Sequence, residues 1–247
     1  MQEKNVVTIE YLGDPERFAD FLNCLWFSGS RVLTPENIRE RKADSSRIWK
    51  ETEKFHTSEV FRDLLREVCL GTHTLLVALE AQSDIHYAMP VRVINGDSIH
   101  YHEQWRRIRN RHRQNRDLRG SGYLSGFSKK DHIFPVITLV LYFGRKPWDG
   151  PENLWDMMTV NDLPETVRHY IADYPLWLID IRRYPHPERF HTDLRVVFGF
   201  LAVDTEKEAL LEFIKKHEKE FFALREDAYD MIAVMSHSEE LIKRKHH

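Results

Sequence analysis

The feature that most constrains the fold is the segment Thr74-Leu75-Leu76-Val77-Ala78-Leu79-Glu80-Ala81-Gln82-Ser83, in which an apolar run ends in an acid and an amide two positions apart. An unbroken run of Leu, Leu, Val, Ala and Leu reads as a strand covered on both faces, which requires other elements on each side of the sheet. Alternate residues of a strand share a face, so Glu80 and Gln82 point one way and Ala81 the other. Polar groups at the end of such a strand cost roughly 2–7 kcal/mol if left without partners. A metal ion, an ordered water or side-chain donors must meet them there.

At 247 residues and 42% apolar content the chain can build one large domain, or one domain with a smaller appendage, and its composition argues against disorder. Lys plus Arg number 36 against 39 Asp plus Glu, a net charge of −3, which excludes a globally basic nucleic-acid binder but leaves room for a local basic face. Cys24 and Cys69 lie in apolar segments with no second Cys or His at zinc spacing, so a reduced, cytoplasmic setting is expected. The longest apolar run, 133–143, is interrupted by Pro135 and Thr138 and is too short to cross a bilayer. Gln2, Glu3 and Lys4 do not begin a secretion signal, and no membrane partner is expected.

Asp14 as N-cap and Pro15 at the first helical position open a helix carrying Phe18, Leu22, Leu25 and Trp26, with Asp20 and Asn23 as polar exceptions. Thr34-Pro35-Glu36 predicts a second, shorter helix. Val60, Phe61, Leu64, Leu65 and Val68 predict an amphipathic helix over 58–69, ended by Gly71. Beyond the strand, a helix beginning near Tyr87, kinked at Gly96, runs into an arginine-rich segment. Residues 133–143 read as a second buried strand, stopped by Gly144 and the turn Lys146-Pro147-Trp148-Asp149-Gly150-Pro151. Residues 176–181 and 194–200 are short strands or buried helix ends, which period alone does not separate. From Thr205 onward Leu210, Leu211, Ile214, Phe221, Phe222, Leu224, Met231, Ile232 and Met235 follow a helical pattern. The mixture predicts an α/β fold, with 1–203 as the main domain and 204–247 as a helical C-terminal extension packed on it.

Glu80 and Gln82 gain chemical meaning if a second carboxylate reaches them, because an Mg²⁺-type ion takes oxygen ligands, usually one or two carboxylates with water and phosphate oxygen. Asp44 is the best candidate, since 45–49 reads as a neighbouring strand; Asp20 is a candidate outer-shell or second-metal contact. The alternative is a strand-end carboxylate paired with an arginine. His86 lies past the strand end, where capping or a surface position fits better than metal ligation, and His100 and His102, two apart on a helix, point to different faces. The sequence contains no His-Glu-x-x-His, phosphate-binding glycine loop or Gly-x-Ser-x-Gly elbow, which argues against zinc proteases, nucleotide hydrolases and serine esterases.

Arg106, Arg107, Arg109, Arg111, Arg113, Arg116 and Arg119 fall within 105–119 against one acid, Asp117, and Lys129 and Lys130 extend the run. In a slightly acidic chain this is a footprint for phosphate contact, with Trp105 and Tyr123 as candidate stacking partners. The bland alternative is a solvated helix face. Gly120-Ser121-Gly122 reads as a loop beside the substrate or a plain connector.

Taken in order, Phe18-Ala19-Asp20 with Asn23, Thr34-Pro35-Glu36, Asp44, Glu80-Ala81-Gln82-Ser83, Met89-Pro90-Val91-Arg92, Pro135 to Tyr142 and Pro147-Trp148-Asp149-Gly150-Pro151 resemble the recombination-promoting nuclease (Rpn) family, the YhgA-like transposases, of the PD-(D/E)xK nuclease superfamily. The resemblance extends over nearly the whole chain and rests on these pieces in combination. It implies a central mixed sheet flanked by helices and a metal-dependent DNA endonuclease, with Asp44 as the family's aspartate, Glu80 as the acid of the (D/E)xK element and Gln82 at the lysine position. Asp44, Glu80 and the carbonyl of Ala81 would then hold Mg²⁺ or Mn²⁺, which polarises the phosphate and activates a water that Gln82 orients. A neutral amide cannot stabilise charge as an ammonium does. The second reading is therefore a catalytically inactive DNA-binding or protein-interaction module on the same fold. Glycoside hydrolysis by paired carboxylates has the acids but no sugar-stacking pattern. A homodimer would suit cutting of both strands of a duplex.

Overall fold

The computed structural model describes residues 2–41 and 64–236. Its centre is a five-stranded mixed sheet in the order β1 (Ile38–Glu40), β2 (Leu64–Leu70), β3 (His73–Gln82), β4 (Val136–Tyr142) and β5 (Trp177–Asp180). β1, β2 and β3 run antiparallel as a meander, and β3, β4 and β5 run parallel. This is the α/β mixed sheet with flanking helices that the sequence predicts.

Both faces of β3 are covered, as its apolar run requires. Val77 and Leu79, with Leu139 and Leu141 of β4, face a helical layer formed by α1 (Gln2–Leu12), α2 (Pro15–Phe27), α6 (Leu194–Val203) and α9 (Glu226–Ser236). Leu76 and Ala78 face the other way, toward Tyr101 of the long helix α3 (Met89–Asn115). α3 is the crossover between the parallel strands β3 and β4. Between α3 and α6 lie two short helices, α4 (Gly120–Ser125) and α5 (Glu165–Arg168). α7 (Lys207–Lys216) and α8 (Glu218–Phe222) lead into α9, whose Met231 and Ile232 join the core that α1 and α2 share.

α2 forms where capping predicts: the Asp14 carboxylate accepts from the backbone N–H groups of Glu16 and Arg17 at 2.8 and 3.3 Å. The polar exceptions on this helix are loop anchors. Asn23 bonds the backbone of Val32 and Leu33, and Asp20 accepts from His191 N, Thr192 N and Thr192 Oγ1 at 2.7–2.9 Å. Arg17, almost fully buried, binds Asp193 of the segment before α6 and Asp227 of α9, joining three parts of the helical layer.

Several expectations are corrected. Residues 64–69 are strand, not helix: Leu64 and Val68 pack in one core and Leu65 in the other, so cover on both faces erases the alternation that marks a strand. The remainder of the expected 58–69 helix lies outside the described residues. A helix, α1, precedes the one expected first, and Thr34-Pro35-Glu36 leads into a single 3₁₀ turn, Pro35–Asn37, and then into β1. α3 runs through Gly96 as one helix. Gly120-Ser121-Gly122 begins α4, while 176–181 contains β5 and 194–200 belongs to α6.

Candidate functional site

The parallel strands end side by side, with Gln82 opposite Tyr142 and Tyr142 opposite Asp180. In open α/β sheets ligands bind outside the carboxyl ends of the strands, and Glu80 and Gln82 stand at that edge on the face toward α3. Glu80 is 4% exposed. Its Oε1 accepts from Gln82 Nε2 at 3.0 Å and is in ion-pair contact with Arg92 Nε. Strand alternation brings Gln82 to Glu80, and Pro90 starting α3 brings Arg92 within its first turns. Of the partners open to the acid, side-chain donors are therefore present, and Arg92 was legible in Met89-Pro90-Val91-Arg92 only once the helix had placed it.

The walls come from the turn after β4. Trp148 packs edge-on against Tyr142, ring centres 5.2 Å apart, beside Met89, Val93 and Val140, and Tyr142 Oη donates to the carbonyl of Lys146 at 2.9 Å. Gly144 is required because a Cβ there would overlap the Tyr142 ring. Burial, then Asp180, Asp84 and Asp149 against an opposing Arg183, raise the Tyr142 phenol above its ordinary value. Asp180 pairs with Arg183 at 2.8 Å. Beyond the strand ends, on the side of α9, lies a cleft of about 350 Å³ lined by Ser83, Asp84, Tyr142, Lys146, Arg182 and Met235 among others; Glu80 and Gln82 are not part of its lining.

The donor chemistry fits an oxygen-seeking cation in part. Glu80 and the Ala81 carbonyl are oxygen donors, but Arg92 already meets the carboxylate, and among the described residues no group of three His, Cys, Asp or Glu could hold a metal. Asp44 lies outside the described residues. Asp20 does not join Glu80: α2 packs with Leu79 on the opposite face of the sheet, and Asp20 Oδ2 is taken up by the 191–192 loop.

The arginine segment is far from this edge. α3 runs back across the sheet, Asp97 accepting from Thr138 Oγ1 at 2.5 Å and Gln104 bonding both backbone groups of Phe134. At 1.5 Å per residue, Arg106 lies roughly 21 Å and Arg116 roughly 36 Å along the chain's helical axis from Arg92. Arg111 pairs with Asp131 at 2.9 Å, and Arg109 lies over the Trp105 ring at 4.6 Å, so Trp105 is covered rather than open for stacking. Arg107, Arg113, Arg116, Lys129 and Lys130 are exposed, and Arg106 is half-buried. His100 is buried and His102 exposed, on different faces as the spacing predicts.

The family model described as "Putative transposase, YhgA-like" matches residues 75–230, more than half of the chain, and the chain belongs to that family. The matched stretch contains Glu80, Gln82, Arg92, the arginine segment and the Pro147–Pro151 turn; it is narrower than the resemblance read from the sequence and leaves out Asp20 and Asp44. No curated protein and no solved structure matches the chain significantly. Among the described residues no helix is long and apolar enough to cross a membrane.

Proposed function

We propose that this member of the family is a metal-dependent DNA endonuclease acting at the carboxyl edge of β3 and β4. The observation that carries the reading is a buried carboxylate, Glu80, bonded to an amide, Gln82, at the end of a central strand, with Arg145 and Lys146 in the turn that follows the adjoining strand β4. Glu80 and the Ala81 carbonyl would share in holding Mg²⁺ or Mn²⁺, which when bound supplies Lewis-acid polarisation of a phosphate and a water of lowered pKa. Gln82 orients that water by hydrogen bonding, and Arg145 and Lys146 receive the phosphate backbone.

The second carboxylate has two candidates, both outside the described residues. Asp44 is one. Asp63 is the other: it precedes Leu64 in the sequence, and Leu64 stands opposite Leu79, the residue before Glu80. The test is plasmid cleavage by wild type, Glu80→Gln, Asp44→Asn and Asp63→Asn with Mg²⁺, Mn²⁺, Ca²⁺ or chelator. Metal-dependent nicking or linearisation that is lost in Glu80→Gln is the expected result, and the aspartate variant that is also inactive identifies the partner acid. Cleavage unchanged in Glu80→Gln would sink the assignment.

One observation favours a second reading, a non-cleaving DNA-binding or protein-interaction module. Arg92 meets Glu80 where a cation would sit, and a neutral amide stands at the lysine position. That reading predicts DNA binding that survives chelation with no cleavage under any metal.

A further inference from the structure

The far end of α3 forms a second concave site that the edge of β3 does not use. A cleft of about 500 Å³ lies between α3 and α4, lined by Arg109, Arg113, Arg116, Leu118 and Tyr123. This volume falls within the roughly 300–1,000 Å³ of sites that enclose a small ligand, and it is too small to admit a base-paired helix. Tyr123 is 71% exposed, with its ring at the mouth.

The walls are held rigidly. Asp131 accepts from Ser128 N and Ser128 Oγ, both at 2.7 Å, from Arg111 at 2.9 Å, and meets His112 at 2.7 Å; the other ring nitrogen of His112 meets Asp117 at 2.7 Å. Asp117 and Asp131 raise the His112 pKa. Trp105 Nε1 donates to the Ser125 carbonyl at 3.1 Å, and a Cβ at Gly126, whose φ is +66°, would overlap the Arg109 side chain. Arg116 caps the end of α3 in the left-handed conformation (φ 53°), as helices commonly end. These contacts use Asp117 and Asp131 internally. Among the described residues no acid pairs with the exposed Arg113 or Arg116.

We infer that the α3–α4 cleft binds an unpaired nucleotide of a single-stranded nucleic-acid segment, its base stacked on Tyr123 and its phosphates held by Arg113 and Arg116. Stacking on an exposed aromatic ring beside free arginines is how sequence-tolerant single-strand sites work. The inference deepens the DNA reading above and rests on it: the substrate carries an unpaired stretch. About 36 Å of helix separates Arg116 from Arg92, roughly ten base pairs of duplex at 3.4 Å each, so this stretch sits about one helical turn from the cleavage edge.

The experiment is fluorescence anisotropy in chelator, with a labelled single-stranded oligonucleotide and a blunt duplex of equal length. Tyr123→Ala is expected to weaken single-strand binding about tenfold and leave duplex binding unchanged. Arg113→Ala with Arg116→Ala should weaken single-strand binding and lower its log–log salt slope by roughly 0.7 per lost phosphate contact. Binding is read in chelator, where a metal-dependent nuclease does not cut, which keeps this result separate from the cleavage assay. Single-strand binding unaffected by Tyr123→Ala overturns the inference alone, as does an equal loss toward heparin, which would mark a polyanion surface. Absence of DNA binding by wild type overturns both the inference and the DNA reading.

Discussion

At the scale of single residues, the decisive contact is between Glu80 and Arg92. A buried acid and a base in contact are coupled, so removing either leaves the other without its partner in a low-dielectric site, whereas removing both relieves the penalty. Glu80→Ala and Arg92→Ala are each expected to lower stability by about 1–3 kcal/mol, and the double variant by less than their sum. Chemical denaturation of the four proteins measures the coupling; strict additivity would show that the pair contributes nothing. The same logic makes Glu80→Gln the better variant for cleavage assays, because it keeps an acceptor for Gln82. Asp20 and Asn23 illustrate the converse. The sequence offers Asp20 as a metal contact and Asn23 only as a polar exception on an apolar helix, and in the structure the carboxylate and amide oxygens of both fasten loops.

At the scale of elements, α3 is set on the sheet by polar contacts as much as by apolar ones. Met89 and Val93 pack at its start, and then the buried stripe turns to Asp97, His100, Glu103 and Gln104. Asp97 accepts hydrogen bonds from the Thr138 and Tyr174 hydroxyls, the latter phenol pushed above its ordinary range by burial and by this bond. Gln104 closes a two-bond bridge to Phe134, with Nε2 donating at 3.1 Å and Oε1 accepting at 2.7 Å. Gln104→Ala strips both groups of their partner and is expected to lower stability by roughly 1–3 kcal/mol. Hydrogen exchange should show it locally, with faster exchange at Phe134 and the distal half of α3 and little change in β2. Protection unchanged at Phe134 would show that the bridge does not hold the helix.

At the scale of the molecule, Arg17 joins α2 to the α6 and α9 segments through Asp193 and Asp227. The hydrogen bond from Arg17 holds the Asp227 carboxyl below its usual range, against partial burial that opposes it. A carboxylate lowered in the folded state contributes stability that is fully present above its unfolded value of about 3.9 and is lost as pH falls through the folded value. Acid titration should therefore destabilise wild type below about pH 4. Arg17→Gln should lower stability at pH 7 and flatten that acid slope. Denaturant unfolding from pH 7 to pH 3 measures both, and an unchanged slope in the variant would remove Arg17 from the account. α9 is thus tied to α2 by charge, and to α1 and α2 by Met231 and Ile232 in the shared core.

By itself the sequence determined the central strand, the face shared by Glu80 and Gln82, the cap of α2, the second buried strand and the helical crossover, because each rests on local periodicity or on capping chemistry within a few residues. It did not determine β2, whose cover on both faces imitates a helical spacing, or the choice between strand and helix at 176–181 and 194–200, where period is uninformative. Only the tertiary structure decided that Arg92 meets Glu80, that Asp20 belongs to the other side of the sheet, and that the arginines stand at the far end of α3 beside Tyr123. Those are relations between residues distant along the chain or carried along a rigid helix. Chain crossing and packing fix them, and no local pattern encodes them.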